Sequence, residues 1–236
     1  MLLCDDEEIF KRAVRFAHYE RQQAVLGKDL DPAIGPIPWG GYKYRIHQLS
    51  SAVGVEQLKK YPAEIAEIDR AMRYFTDAIC KLPCIRAHYP RDPGSNKAGW
   101  YASVVFYDRE KLGGLSLSRF IEALQAEGVR NVHAGCNRPL HQSKLFYDVD
   151  IYGHGQPTAR VNWPPASDPL ALTGDLPVSA GVNARVITVP WFKHFQPAII
   201  DQYIDAFRKV TAQHQELLVA DAQSEVSGIW FKPVKD

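Results

Sequence analysis

Residues 41–58 read GYKYRIHQLSSAVGVEQL. Two glycines, at 40 and 41, close an irregular stretch, and the spacing after them predicts a helix from near Ile46 to about Lys60. Three basic side chains, Lys43, Arg45 and His47, crowd into five positions where that helix begins. A helix start is the positive end of the macrodipole and carries unpaired N–H groups, so cations are better placed at the other end. Two explanations stand. One is a solvated turn that tolerates a small penalty. The other is an anion, such as a phosphate, gripped by N–H groups and cations together.

Downstream, Pro62 is expected to restart a second helix at its first turn. There Ile65, Ile68, Met72, Phe75 and Ile79 follow 3-4-3-4 spacing, the mark of a buried stripe. The opposite face (Glu64, Glu67, Asp69, Arg70, Arg73) is expected to be solvated. Upstream, residues 20–41 hold Pro32, Pro36, Pro38 and four glycines, which predicts a long loop. Before it, Leu2-Leu3-Cys4 reads as the end of a strand whose sheet lies upstream. Asp5 with Glu8 reads as a capping box opening a short helix with Ile9, Phe10, Ala13, Val14 and Phe16/Ala17 on its apolar face.

The second half is mixed α/β. Residues 100–107 are β-branched and aromatic, predicting a strand. Ser116 is placed to cap a helix that Gly128 stops, with Leu117, Phe120, Ile121 and Leu124 inward. Residues 129–175 are loop-rich, 185–189 predict a strand, and a long helix begins at Pro197 with Ile200, Tyr203/Ile204, Phe207 and Val210 on one face.

Bulk properties exclude several classes. The 236 residues carry 28 Lys and Arg against 27 Asp and Glu, a net charge of +1 that offers no basic surface for nucleic acid. No apolar run approaches the roughly 20 residues a membrane helix needs, and the first residues do not form a signal peptide. Cys4, Cys80, Cys84 and Cys136 have no zinc spacing and read as reduced thiols of a cytoplasmic protein.

Four phrases in order resemble one family. Residues 1–21, MLLCDDEEIFKRAVRFAHYER, are similar to the segment that follows the Gly-Glu-Gly-Gly motif of DegT/StrS-type sugar aminotransferases, pyridoxal-phosphate enzymes of the aspartate aminotransferase fold. Residues 41–58 resemble the family's GYNYRMSELQAAIGLAQL. RPLHQSKLF (138–146) resembles a PLHxxxxF element, and residues 176–210 resemble the closing strand and helix. The resemblance spans roughly residues 1–212. WFKHF, AHYER and the Lys of GYKYR are most similar to the branch acting on cyclitol ketones such as scyllo-inosose.

The resemblance implies an α/β fold, the C-terminal part of a fold-type I pyridoxal-phosphate aminotransferase. Residues 1–60 would end the large cofactor-binding domain with a cross-subunit loop, and 61–236 would form the small domain. It implies a homodimer whose full-length form binds pyridoxal 5'-phosphate. In the family the segment at 41–58 reaches across the dimer, and its Asn contacts the cofactor phosphate held by the neighbouring subunit. That position is Lys43 here, a departure from the commoner pattern that keeps a point-charge partner for phosphate. Arg45 is placed beside it, bracing the loop or meeting a carboxylate, and His47 reads as structural. The resemblance also sets His18, Tyr19 and Arg21 near the substrate loop, although cations at the end of the first helix complement its dipole in any case. His133 and His141 flank the loop of Pro139 and Leu140 near the active-site mouth, where either could bond a sugar or cyclitol hydroxyl; loop histidines are more often surface residues. Trp191, Phe192 and Phe195 read as packing between the last strand and last helix.

The family's Schiff-base lysine precedes Gly-Glu-Gly-Gly, and its carboxylate partner for the pyridine nitrogen lies further upstream. Neither segment is in the sequence, no lysine here sits in a similar motif, and no catalytic or metal-ligating residue is assigned. The expectation is a C-terminal portion, inactive alone, of an enzyme moving an amino group from glutamine or glutamate to a keto-cyclitol or keto-sugar. The alternative is a non-catalytic binding or assembly module, or the partner of a separately encoded N-terminal half.

Overall fold

The computed structural model describes residues 4–17, 21–30, 35, 37–39, 47–88, 92–101, 103–162, 164, 171 and 174–223. In chain order the elements are α1 (Glu7–Ala17), α2 (Gln22–Leu26), α3 (Gln48–Ile79), β1 (Ile85–Ala87), β2 (Val104–Tyr107), α4 (Leu117–Ala126), β3 (His133–Ala134), α5 (Pro177–Ala180), β4 (Val186–Thr188), α6 (Pro197–Ala212) and α7 (His214–Leu218). Short 3-10 turns lie between several of them. Two compact units interleave in sequence. One comprises Met1–Ile46, Asn137–Ala180 and Trp230–Asp236; the other comprises His47–Cys136 and Gly181–Ile229.

The second unit is built on a four-stranded antiparallel sheet in the order β1-β2-β4-β3. Alternation along the strands sends Val105 and Tyr107 inward with Ile85 and Ile187, whose register partners include Tyr107 and Val105 respectively. Against this face pack the apolar stripes of α3, α4 and α6. Phe207 meets Phe75 and Phe120 edge-on, at centroid distances of 5.7 and 6.2 Å. The stripes fall where the periodicity placed them: Ile68, Met72, Phe75 and Ile79 on α3, and Ile200, Ile204, Phe207 and Val210 on α6, are buried. Ile65 is only half-buried.

Helix ends follow local chemistry. Ser116 caps α4, its Oγ accepting from the Arg119 N–H at 3.2 Å. At the other end the Gly128 N–H reaches the Gln125 carbonyl and the Val129 N–H the Leu124 carbonyl, both at 3.0 Å, with Gly128 at φ +87°. That is the paired bonding of a Schellman stop, which only glycine enters without strain.

Several expectations need correction. Residues 48–79 form one 32-residue helix, not two, with Pro62 inside it. Proline removes the bond to the carbonyl four residues back, at Leu58, but residues 55–63 are exposed and water can serve that oxygen. The strand expected from Trp100 begins only at Val104. Trp100 sits in a turn at φ +56° and packs with Ile68 and Met72. The polar face of α3 is not simply solvated. Asp69 accepts from the Trp100 indole N–H and from the Arg73 Nε, each at 2.8 Å. Glu67 accepts from the Phe195 N–H at 3.2 Å, and Arg70 stacks 3.8 Å from the Phe195 ring. WFKHF therefore docks on α3 as well as α6, with Phe192 5.2 Å from both Phe75 and Tyr203.

In the first unit the cap of α1 is Asp6, not Asp5: its Oδ1 accepts from the N–H groups of Glu8 and Ile9, both at 2.9 Å. The helix starts one residue later than expected, and Glu8 cannot complete a capping box. The stretch expected as a loop contains α2 and a 3-10 turn at Gly27–Asp29, anchored by buried Gln22 and Leu26. Val14 is buried, while Ile9, Phe10 and Phe16 are exposed. Leu2 and Leu3 lie outside the described residues. All four cysteines are free thiols, and no described helix is long and apolar enough to cross a membrane.

Candidate functional site

The helix beginning at Gln48 answers part of the question set by the basic cluster. His47 is its N-cap, and its Nδ1 accepts from the Leu49 N–H at 3.2 Å. The side chain thereby satisfies one of the orphan N–H donors of the helix start. Lys43 and Arg45 lie outside the described residues, as do His18 and Tyr19.

Arg21 is exposed and stands at the N-cap of α2 rather than at the end of α1. His141 is half-exposed in the 3-10 turn Leu140–Gln142 of the first unit. His133 is in β3 of the second unit, opposite Thr188. The two histidines thus fall in different compact units.

A cavity of about 340 Å³ opens within the first unit. It is bounded by Arg15 of α1, Gln22 of α2, Asp29, Trp39, Asp148 and Asp150, with intervening backbone. Local bonding fixes its walls. The Arg15 carbonyl accepts from the Trp39 N–H at 2.8 Å and from the Gln22 amide at 3.3 Å. The Arg15 guanidinium bonds the Asp29 carbonyl at 3.0 Å and lies 5.5 Å from the Trp39 ring centroid. Trp39 also packs with Leu145 and Val149, which carries residues 148–150 to the same cavity.

Asp150 organises the opposite wall. Its carboxylate accepts from the N–H groups of Gly153, His154 and Gly155 at 2.8, 2.9 and 2.7 Å. Gly153 and Gly155 hold φ of +75° and +78°, so this tight return needs glycine. The His154 N–H bond, helped by those from Gly155 and Gly153, outweighs burial and holds the Asp150 carboxyl below its ordinary range. Lys11 bridges Asp29 and Glu7, at 2.9 Å to each, and lowers the Asp29 carboxyl in the same direction. The Asp148 N–H donates to the Lys144 carbonyl at 2.8 Å, while its carboxylate has no hydrogen-bond or ion-pair partner among the described residues.

The donor set does not fit pyridoxal phosphate. One arginine faces three carboxylates, where a phosphate dianion calls for an excess of donors. Among the described residues no three His, Cys, Asp or Glu side chains converge to hold a metal ion. Nothing in the sequence reading pointed to Arg15, Trp39, Asp148 or Asp150. DVDIYGHG (148–155) carries a signal for a tight aspartate turn, but its contact with Trp39 has no local trace.

The antiparallel sheet with three helices on one face is an α/β arrangement shared with fold-type I aminotransferases. The crystal structure of DesI in the presence of its TDP-sugar product superposes with a TM-score of 0.51 at 20% identity, covering 76% of this chain and 39% of that one. A DegT/DnrJ/EryC1/StrS aminotransferase from Brucella abortus gives a TM-score of 0.42 at 20% identity, with 72% and 39% covered. The sequence profile of the DegT/DnrJ/EryC1/StrS aminotransferase family matches residues 1–208, and the chain belongs to that family. A Micromonospora echinospora relative, provisionally named L-glutamine:3-amino-2,3-dideoxy-scyllo-inosose aminotransferase, is 25% identical over 213 residues. That match covers 89% of this chain and 48% of the relative, so the chain spans about half its relative's length.

Proposed function

We propose that this chain supplies the C-terminal part of a pyridoxal-phosphate aminotransferase that moves an amino group from glutamine or glutamate to a keto-cyclitol or keto-sugar. The family match over residues 1–208 is the observation that carries this reading. Residues 1–60 then close the large domain and 61–236 form the small one. The assembly is a cytoplasmic homodimer, and Lys43, braced by Arg45, meets the cofactor phosphate of the neighbouring subunit. Tyr19, Arg21, His133 and His141 are assigned to the substrate side. The described residues include no set suited to hold the cofactor.

The test is complementation. The purified chain is given pyridoxal phosphate, glutamine and scyllo-inosose, alone and then with the separately produced N-terminal portion of the Micromonospora relative. Amine should form only in the mixture. Turnover by the chain alone, with borohydride fixing cofactor onto one of its own lysines, would overturn the division of labour. Uncovered apolar residues on α3 (Leu49, Val53, Val55 and Leu58) favour a second reading, an assembly module for a separate half. Binding to that portion without turnover under any donor would select it.

A further inference from the structure

In the second unit, the sheet face turned away from the helices gathers three basic side chains. Arg86 of β1 and His88 just beyond it alternate with the inward-facing Ile85 and so share that face. Phe106 of β2, the register partner of Arg86, lies on it too. The Arg86 guanidinium sits 4.2 Å from the Phe106 ring centroid, and the His88 ring meets the same ring edge-on at 5.0 Å. Stacking leaves the in-plane N–H donors of Arg86 directed outward, and no described residue accepts from them. Lys97 completes the group. Its Nζ donates to the His88 carbonyl at 3.3 Å, which leaves two further N–H donors. Burial, then Lys97 and Arg86, hold the His88 imidazole below its ordinary value, and burial lowers the Lys97 ammonium as well. No carboxylate offsets either shift. Asp92, the one acid of the loop at 92–101, is exposed and forms no ion pair with any of the three.

The loop that presents Lys97 is strained and anchored. Ala98 and Trp100 hold φ of +45° and +56°, in the left-handed region that residues other than glycine rarely enter. The Trp100 indole N–H bonds Asp69 at 2.8 Å, and the Trp191 indole N–H bonds the Gly99 carbonyl at 3.0 Å. Lys97 therefore stands beside two like charges on a backbone pinned just after it. Strain that is kept while like charges crowd together marks a place built for a counter-charge. We propose that Arg86, His88 and Lys97 form a binding site for a tetrahedral dianion, either inorganic phosphate or the phosphate of a small monoester. Arg86 supplies paired in-plane donors, with Phe106 fixing the plane, and Lys97 supplies a point charge. His88 adds a donor and a charge once protonated, which the bound dianion favours. The face is open and has no carboxylate for a pyridine nitrogen, so it offers no seat for the ring of the family's cofactor.

The experiment titrates the purified chain with phosphate, glycerol phosphate, sulfate and acetate at constant ionic strength, by calorimetry and by NMR of the His88 ring. Phosphate and sulfate should saturate one site per chain and bind about tenfold or more tightly than acetate. The source is read from the first two probes: parity between them points to free phosphate, and tighter glycerol phosphate to a monoester. Saturation should raise the His88 value. Sulfate keeps its double charge throughout, so its affinity should grow as pH falls through the His88 titration, and His88→Asn should abolish that growth. Arg86→Gln should weaken sulfate about tenfold or more, and Arg86→Lys should recover only part of the loss because the paired donors are gone. Lys97→Met gives an independent check at the other side of the site and should weaken sulfate as well. Dianions binding no better than acetate, an unmoved His88 signal, or sulfate affinity unchanged in both Arg86→Gln and Lys97→Met would each overturn the proposal. The assay needs neither cofactor nor turnover, so its outcome is independent of the aminotransferase reading.

Discussion

The two halves of α3 share one backbone and differ in what covers them. From Ile68 onward its stripe of Ile68, Met72, Phe75 and Ile79 is buried against the sheet, α6 and the WFKHF segment. Before Ile65 the apolar residues stand in the open: Leu49 is 72% exposed and Leu58 67%. The exposed residues are also spread around the helix, since 49 and 53 point one way and 55 and 58 nearly the opposite. A helix that is apolar on several sides belongs inside a larger body. Helical periodicity therefore reports that a face is to be covered, and says nothing of what covers it.

The sharpest way to break the contrast is Phe75→Ala. Phe75 is fully buried and meets Phe192 and Phe207 edge-on. Truncation should cost about 3–5 kcal/mol, read as a large fall in the urea midpoint. A loss below 1 kcal/mol would mean the covered half is no core.

Asp69→Ala comes next. It removes the acceptor of the Trp100 indole N–H, which belongs to a side chain only 1% exposed. A buried donor left unmet costs about 1–3 kcal/mol. Trp100 fluorescence should shift red as water enters. An unchanged spectrum and midpoint would return the polar face of α3 to the solvated role that the sequence suggested.

That face shows where legibility stops. Ser116 and Gly128, with the apolar stripes between and beyond them, were readable because capping and periodicity act within a few residues. Asp6 rather than Asp5 was a one-residue error of the kind that adjacent carboxylates invite. Pro62 inside α3 was misread because a helix-breaking rule is weakest where solvent replaces the lost bond. The docking of WFKHF on Glu67 and Arg70, and the meeting of Trp39 with residues 148–150, join segments about a hundred residues apart. No local pattern encodes such contacts. The family was legible from four phrases in order, whereas the cavity was not.

A smaller effect is expected at the start of α4, where Asp221 holds Ser116. The Asp221 Oδ2 accepts from the Ser116 N–H at 2.7 Å and its Oδ1 from the Ser116 Oγ at 2.5 Å. Burial alone would raise the Asp221 carboxyl, but the bonds from Ser116 outweigh it and the net shift is downward. A carboxyl lower in the folded than in the unfolded state binds its proton more weakly when folded. Its stabilisation is complete above the ordinary carboxylate range and is lost as pH falls through the depressed folded value. Ser116→Ala should cost about 1 kcal/mol at neutral pH, and the difference from wild type should shrink in acid. A penalty independent of pH would show that the cap acts without Asp221.

The smallest effect on the chain's own stability is expected in the uncovered half of α3. Leu49→Ser with Leu58→Ser removes two large apolar side chains that touch little, so each should change stability by no more than about 0.5 kcal/mol. The same pair should change association strongly. Exposed apolar surface drives self-contact, and Ile9 and Phe10 on α1 are exposed as well. Sedimentation velocity across micromolar concentrations should show the wild-type chain self-associating and the double variant shifted toward monomer, with both melting alike. If the wild type stays monomeric and binds no hydrophobic dye, exposure on α3 drives no contact, and the two halves differ in burial alone. If the double variant instead unfolds, the uncovered half carries structural weight and the contrast along α3 fails. Stability and association thus separate at these two leucines, and only their separation supports a face left for another body to cover.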